Sequence, residues 1–173
     1  LYGKPNTQIK KVLVGIDMEV GEILLADKLR QLQGLDLVLS HHPEGGAYAA
    51  FYQVMQLQVD MLARAGINRR VAQQLLEERK REVERKVLPQ NHMRAVDAAR
   101  LLELPFMCIH TPADNHVYSF IKSLLKKNKP RKVQDIIDIL MEIPEYQDAS
   151  SYLAGPRIIL GSPKRPVGKV SVE

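Results

Sequence analysis

Four of the five histidines fall in two short segments: His41 and His42 in "SHHPEGGAY", His110 and His116 in "CIHTPADNH". Each segment follows a short apolar run of the kind that forms a buried strand, "LDLVL" and "LPFMCI". Ligands of open α/β sheets bind beyond the carboxyl ends of the strands, so both segments are expected to meet at one sheet edge. Imidazoles together with the carboxylate of Asp114 make a donor set that suits Zn, Mn, Fe, Co or Ni better than Ca or Mg, which prefer all-oxygen shells. Adjacent histidines in an extended chain point to opposite sides. His41 and His42 therefore suit a turning loop, or two ions with one histidine each. Asp114 has two carboxylate oxygens and can bridge ions about 3.5–4 Å apart, the spacing of two-metal hydrolytic sites. The chemistry of such a set is activation of water.

Each of these residues also has a plainer role. A His-His pair can be a polar loop. Asp114 can be a first-turn carboxylate favoured by the helix dipole. His110 can be a strand-end histidine bonded to backbone. His92 and His116 read as surface or supporting residues, and Glu44 as either a general base or a solvated loop carboxylate. Cys108, inside "LPFMCI", reads as a small buried hydrophobe rather than a reactive thiol. The metal reading rests on convergence: both clusters follow strands, both begin with His and both lead toward a helix.

The elements that position them are legible in outline. "KKVLVGID" predicts a strand over Val12 to Ile16. Ile23, Leu24, Ala26, Leu29 and Leu32 recur at helical spacing between Val20 and Leu32, and Gly34 ends the pattern. "LDLVLS" predicts a second strand, followed by a loop at Pro43, Gly45 and Gly46. A helical stretch of about 48–103 comes next. In it, "YAAFYQVMQLQVDMLARAG" closes on Gly66, and the charged "RRVAQQLLEERKREVERKV" carries Glu77–Arg81 and Glu82–Lys86 pairs at i,i+4 on a solvated face. "NHMRAVDAARLLE" predicts another helix and "LPFMCI" a third strand. A helix then opens with Thr111 as N-cap, Pro112 and Asp114. "VQDIIDILMEI" predicts a helix stopped by Pro144, and "PRIILG" and "VGKVSVE" two late strands. Strand and helix alternation predicts an α/β layered sheet with flanking helices, its first three strands able to run parallel.

A chain of 173 residues with 45% apolar and 26% charged residues fits one globular α/β domain over 1-173. A single cysteine points away from a disulfide-forming compartment, and no apolar run is long enough to span a membrane, so a cytoplasmic location is expected. The net charge of +5 permits anionic partners without demanding them. The basic residues Lys122, Lys126, Lys127, Lys129, Arg131 and Lys132 can steer an anionic substrate or form a solvated helix end. They lack interleaved aromatic residues, which argues against nucleic-acid stacking.

"LDLVLSHHPEGGAY" and "CIHTPADN" resemble the paired motifs of the dinuclear-metal GTP cyclohydrolase I type 2 homologues, also called the Ngg-interacting-factor-like family. "VLVGIDMEVGEILLADKL" is similar to that family's opening strand and helix. The resemblance runs from Val12 to about Val117. It implies that His41 and His42 are metal ligands, that Asp114 bridges two divalent ions, and that His110 lines the site and steadies Asp114. It assigns Asp17, an acidic position of the opening motif, no ligand role. It implies two related halves, ring-like homo-oligomers such as hexamers, and hydrolase-like chemistry on a small-molecule substrate that it does not name. Two features depart from the family. Glu44-Gly45-Gly46 follow the His-His-Pro motif where apolar residues are usual, and no histidine follows His116 to complete the site with a late His and Glu. The chain therefore reads as a fragment of a longer protein or as a divergent member with a reduced ligand set. No phosphate-cradling loop supports the cyclohydrolase label. The leading expectation is a metal-dependent hydrolase; the alternative is a non-catalytic metal-binding regulatory or scaffold protein.

Overall fold

A computed structural model describes residues 1–172 of the 173. The chain forms two compact units, Leu1–Ala113 and Asp114–Glu173.

In the first unit, β1 (Val12–Gly15), β2 (Leu37–Ser40) and β3 (Phe106–Cys108) form a three-stranded sheet in the order β1-β2-β3, with both pairs parallel. Pairing places Leu13, Val38 and Phe106 in one transverse row. All three join the core, with Val38 0% and Phe106 2% exposed. They pack with Ile23 and Ala26 of α1 (Val20–Gln33), which lie three apart and so share one helix face. The next row on the same sheet face is Gly15, Ser40 and Cys108, all small. A side chain at Gly15 would strike Met18, so the glycine leaves room for Met18 to close the core. The other face carries Val12 and Val14, which are exposed.

α1 opens with a reciprocal Glu19–Glu22 capping box and closes on Gly34, whose φ of 69° suits glycine and whose N–H donates to Arg30 O. The Asp36 carboxylate then accepts from Lys10 and Lys11 N–H, both at 2.8 Å, tying the entrance of β2 to that of β1. Those two bonds hold the Asp36 carboxyl below its ordinary pKa.

Five helices separate β2 from β3. The helical segment expected over 48–66 is instead three short helices: α2 (Gly46–Ala49), α3 (Phe51–Val54) and α4 (Gln56–Arg64). Helices hold together by burying an apolar face, and in these three only Val59 is fully buried while Val54 and Leu57 are exposed. α5 (Arg69–Val87) is continuous, and the Asn68 side chain caps it by accepting from Arg70 N and Val71 N. Its expected pairs form, Glu77–Arg81 at 3.4 Å and Glu82–Lys86 at 2.9 Å, and Arg79 adds a third contact to Glu82 at 2.6 Å. The bonds from Lys86 and Arg79 hold the Glu82 carboxyl down to about 2. α6 (Arg94–Leu101) buries Ala95 and Ala99 in the sheet core.

The second unit begins in the first turn of α7 (Thr111–Asn128) and continues through α8 (Val133–Leu140) and α9 (Pro144–Ser151). Thr111 lies within α7 rather than capping it, a one-residue difference of the kind that helix ends carry. α8 ends before Pro144, and that proline starts α9, because its fixed φ and missing N–H suit a first helical position.

The two late strands are not formed among the described residues; Glu173, the last residue of "VGKVSVE", lies outside them. The segment makes one isolated bridge, Lys132 with Pro166, fixed by Val167 N donating to Arg131 O and Val133 N to Arg165 O. Strands need a neighbour to satisfy their backbone. Prolines at 156, 163 and 166 remove donors along this stretch, and Ile159 and Leu160 are exposed. Among the described residues, no helix is long and apolar enough to cross a membrane.

Candidate metal centre

Parallel pairing continues past the strand ends. His41 N donates to Gly15 O and His42 N to Ile16 O, both at 2.8 Å, and Ile109 N donates to Ser40 O at 2.9 Å. The residues that follow each strand are thereby held side by side at the carboxyl edge of the sheet. Ser40, fully buried, donates its hydroxyl to His42 O at 2.7 Å and bends the chain back as it leaves β2. This bend answers the problem of adjacent histidines: outside strand geometry they need not point to opposite sides.

The three rings come together. Ring centroids of His41 and His110 are 4.4 Å apart and nearly parallel, those of His41 and His42 5.3 Å, and those of His42 and His110 5.8 Å. One nitrogen from each ring can be chosen so that all three lie within 4.8 Å of one another. Ligand nitrogens about 2.1 Å from one ion sit roughly 3–3.5 Å apart, so small ring rotations bring the set to bonding geometry. Three imidazoles at a half-exposed sheet edge fit a divalent transition ion, with room for further ligands.

The surroundings are acidic. Asp17, just beyond β1, places Oδ1 2.7 Å from His42 Nδ1. Glu19 pairs with Arg94. Partial burial first, and then the charge of Glu19, push the Glu44 carboxyl above its ordinary pKa. Cys108 is partly buried, and that burial raises its thiol further above the ordinary value of 9.0. A thiol so placed stays protonated at neutral pH, and the thiolate is the nucleophile. Cys108 is therefore expected to react with iodoacetamide at pH 7.5 several-fold more slowly than free glutathione, read by intact mass. Alkylation at the glutathione rate would contradict its shielding.

Of the residues singled out from sequence, His41, His42 and His110 converge. His110, expected to support the ligands, has its ring in the same cluster as the other two. Asp114 is four residues beyond His110, in the first turn of α7, and is the first residue of the second unit. His116 is exposed on α7, and His92 bonds through a ring nitrogen to Val87 O at 2.7 Å within its own loop. Asp17, named from sequence but given no ligand role, lies against His42; the signal for this is that an acid directly after a strand shares the sheet edge to which the histidines belong.

No family model matches the sequence, and no curated protein matches it. In fold the chain is similar to a NIF3 superfamily protein from Sphaerobacter thermophilus, with a TM-score of 0.78 and 31% identity over 95% of this chain and 59% of that one. The chain thus spans 59% of the length of that neighbour. The neighbour's superfamily is the one to which the two histidine motifs point, so motif and fold agree.

Proposed function

We propose that this protein is a metal-binding protein acting as a metal-dependent hydrolase, in which His41, His42 and His110 would supply nitrogen donors to a divalent transition ion and Asp114, as the motif resemblance implies, would supply a carboxylate. The observation that carries the reading is the three-imidazole cluster at the carboxyl edge of the parallel sheet. When bound, a divalent ion would supply Lewis acidity that lowers the pKa of coordinated water toward neutrality. The chain's own part is to hold the donors. The buried Ser40 hydroxyl and the β1–β2 ladder fix the backbone of His41 and His42, and the β2–β3 ladder does the same for the approach to His110. Half-buried Glu44, with its proton affinity raised, is a candidate to accept a proton from substrate water.

A second reading, a non-catalytic member of a homo-oligomeric scaffold, draws support from the sheet face bearing Val14 at 63% and the adjoining Ile16 at 61% exposure. Ring-like oligomers are what the family resemblance implies.

Metal content of the purified protein, measured by mass spectrometry beside His42→Ala and Asp114→Ala, tests the proposal. One to two equivalents of transition metal, lost in His42→Ala and reduced in Asp114→Ala, are expected. Hydrolysis of model esters by the loaded protein separates the two readings, since a closed structural site leaves no position for water. A protein that takes up no transition metal overturns both the site and the hydrolase.

A further inference from the structure

We propose that Asp17 is a positioning residue of the metal centre: its carboxylate accepts the Nδ1–H of His42 and so presents His42 Nε2 to the ion. The inference rests on the metal reading above and adds to it a residue that the family resemblance leaves without a role.

The geometry is specific. Asp17 Oδ1 lies 2.7 Å from His42 Nδ1, within charge-assisted hydrogen-bond range. The two residues are 25 apart in sequence, so no local turn makes this contact. The β1–β2 ladder makes it, carried one residue past the strands by His42 N donating to Ile16 O at 2.8 Å. Ser40 Oγ also reaches Ile16 O, at 3.3 Å, tying the same two segments from inside. Asp17 and His42 are each the next residue after that bonded pair, or part of it, and face each other by construction.

A neutral imidazole carries its proton on one nitrogen, and which one decides whether it can serve as a ligand in a given direction. A carboxylate accepts only. Asp17 therefore selects the Nδ1–H tautomer, leaves the Nε2 lone pair free for the ion, and limits rotation of a ring whose side chain is 47% exposed. Carboxylate partners of metal-bound imidazoles act in this way, and their loss typically lowers metal affinity about 10- to 100-fold. The Asp17 side chain is 69% exposed, which places the expected effect at the low end of that range.

The test uses the metal-free 173-residue chain first. Long-range 1H–15N correlations of the imidazoles, at a pH where the rings are neutral, read the His42 tautomer directly. The expected result is a protonated Nδ1 in the wild type. In Asp17→Ala the tautomer should move toward Nε2–H, and in Asp17→Asn, whose amide oxygen still accepts, it should stay. Titration with Co(II) then should show about a tenfold weaker affinity for Asp17→Ala than for wild type, with Asn between them. A wild-type His42 protonated on Nε2, or an Ala variant with unchanged tautomer and unchanged affinity, overturns the inference. A wild type with the expected tautomer that binds no Co(II) overturns the metal reading instead, and the tautomer shows which of the two failed. Asp17 is exposed and outside the core, so the variants are expected to fold as the wild type does.

Discussion

His110→Ala is expected to weaken transition-metal binding by more than about 100-fold, as much as His41→Ala does, because both remove a donor. A residue that merely supports a ligand costs about 10- to 100-fold when lost. The comparison therefore assigns His110 its role. The motif resemblance places His110 beside the site, steadying Asp114. The ring geometry puts it in a cluster that could hold an ion: its centroid is 4.4 Å from that of His41, and a nitrogen of it lies within 4.8 Å of nitrogens on both other rings. Removing it leaves two imidazoles, on adjacent residues of one bend. Competition with a chromophoric chelator measures the affinity, and circular dichroism checks that the fold survives. A loss near tenfold for His110→Ala, beside a far larger one for His41→Ala, would return His110 to the supporting role.

The second large effect concerns the scaffold. Phe106→Ala is expected to destabilise the first unit by about 3–5 kcal/mol, the usual range for a buried Phe truncated to Ala. Phe106 is 2% exposed, and it ends the transverse row that begins at Leu13 and passes through Val38. Its backbone also exchanges two hydrogen bonds with Tyr2, at 2.8 and 2.9 Å, so the surroundings are held and cannot readily collapse into the vacated volume. Domains of this size are stable by only about 5–15 kcal/mol, so the variant spends a large share of that margin. The chain has no tryptophan, so urea unfolding is followed by circular dichroism, with the midpoint shift read at constant m. A cost below about 1 kcal/mol would mean that this row is not packed as described. The carboxyl edge hangs on the same strands, so metal affinity should fall along with stability in this variant, whereas His110→Ala should lower affinity alone.

The elements with a strong local pattern were readable from the chain. α1 has a clear apolar face and a glycine stop, and it appears within one residue of expectation at its C-terminal end. α5 carries its i,i+4 charge pairs where the spacing put them. The parallel arrangement of the first three strands followed from strands alternating with helices. Elements that depend on partners were not readable in this way. Residues 48–66 have helical composition, but the broken helix reflects how little of that stretch finds a surface to bury against. The apolar "PRIILG" looks like a strand by residue type, and the bonds that would make it one come from a neighbouring strand, not from its own residues.

For the site, residue chemistry and spacing marked His41, His42 and Asp114 as candidate ligands with His110 in a supporting place, set the three histidines just after strands, and led to the expectation that the sheet would gather them at one edge. That much follows because strand polarity and loop position are local properties. Tertiary structure alone decided that the ring of His110 joins those of His41 and His42 in one cluster, and that Asp17 faces His42 across 25 residues. Those facts depend on register: a one-residue slip between β1 and β2 would turn Asp17 away from His42, and the register is set by the whole core packing beneath the sheet.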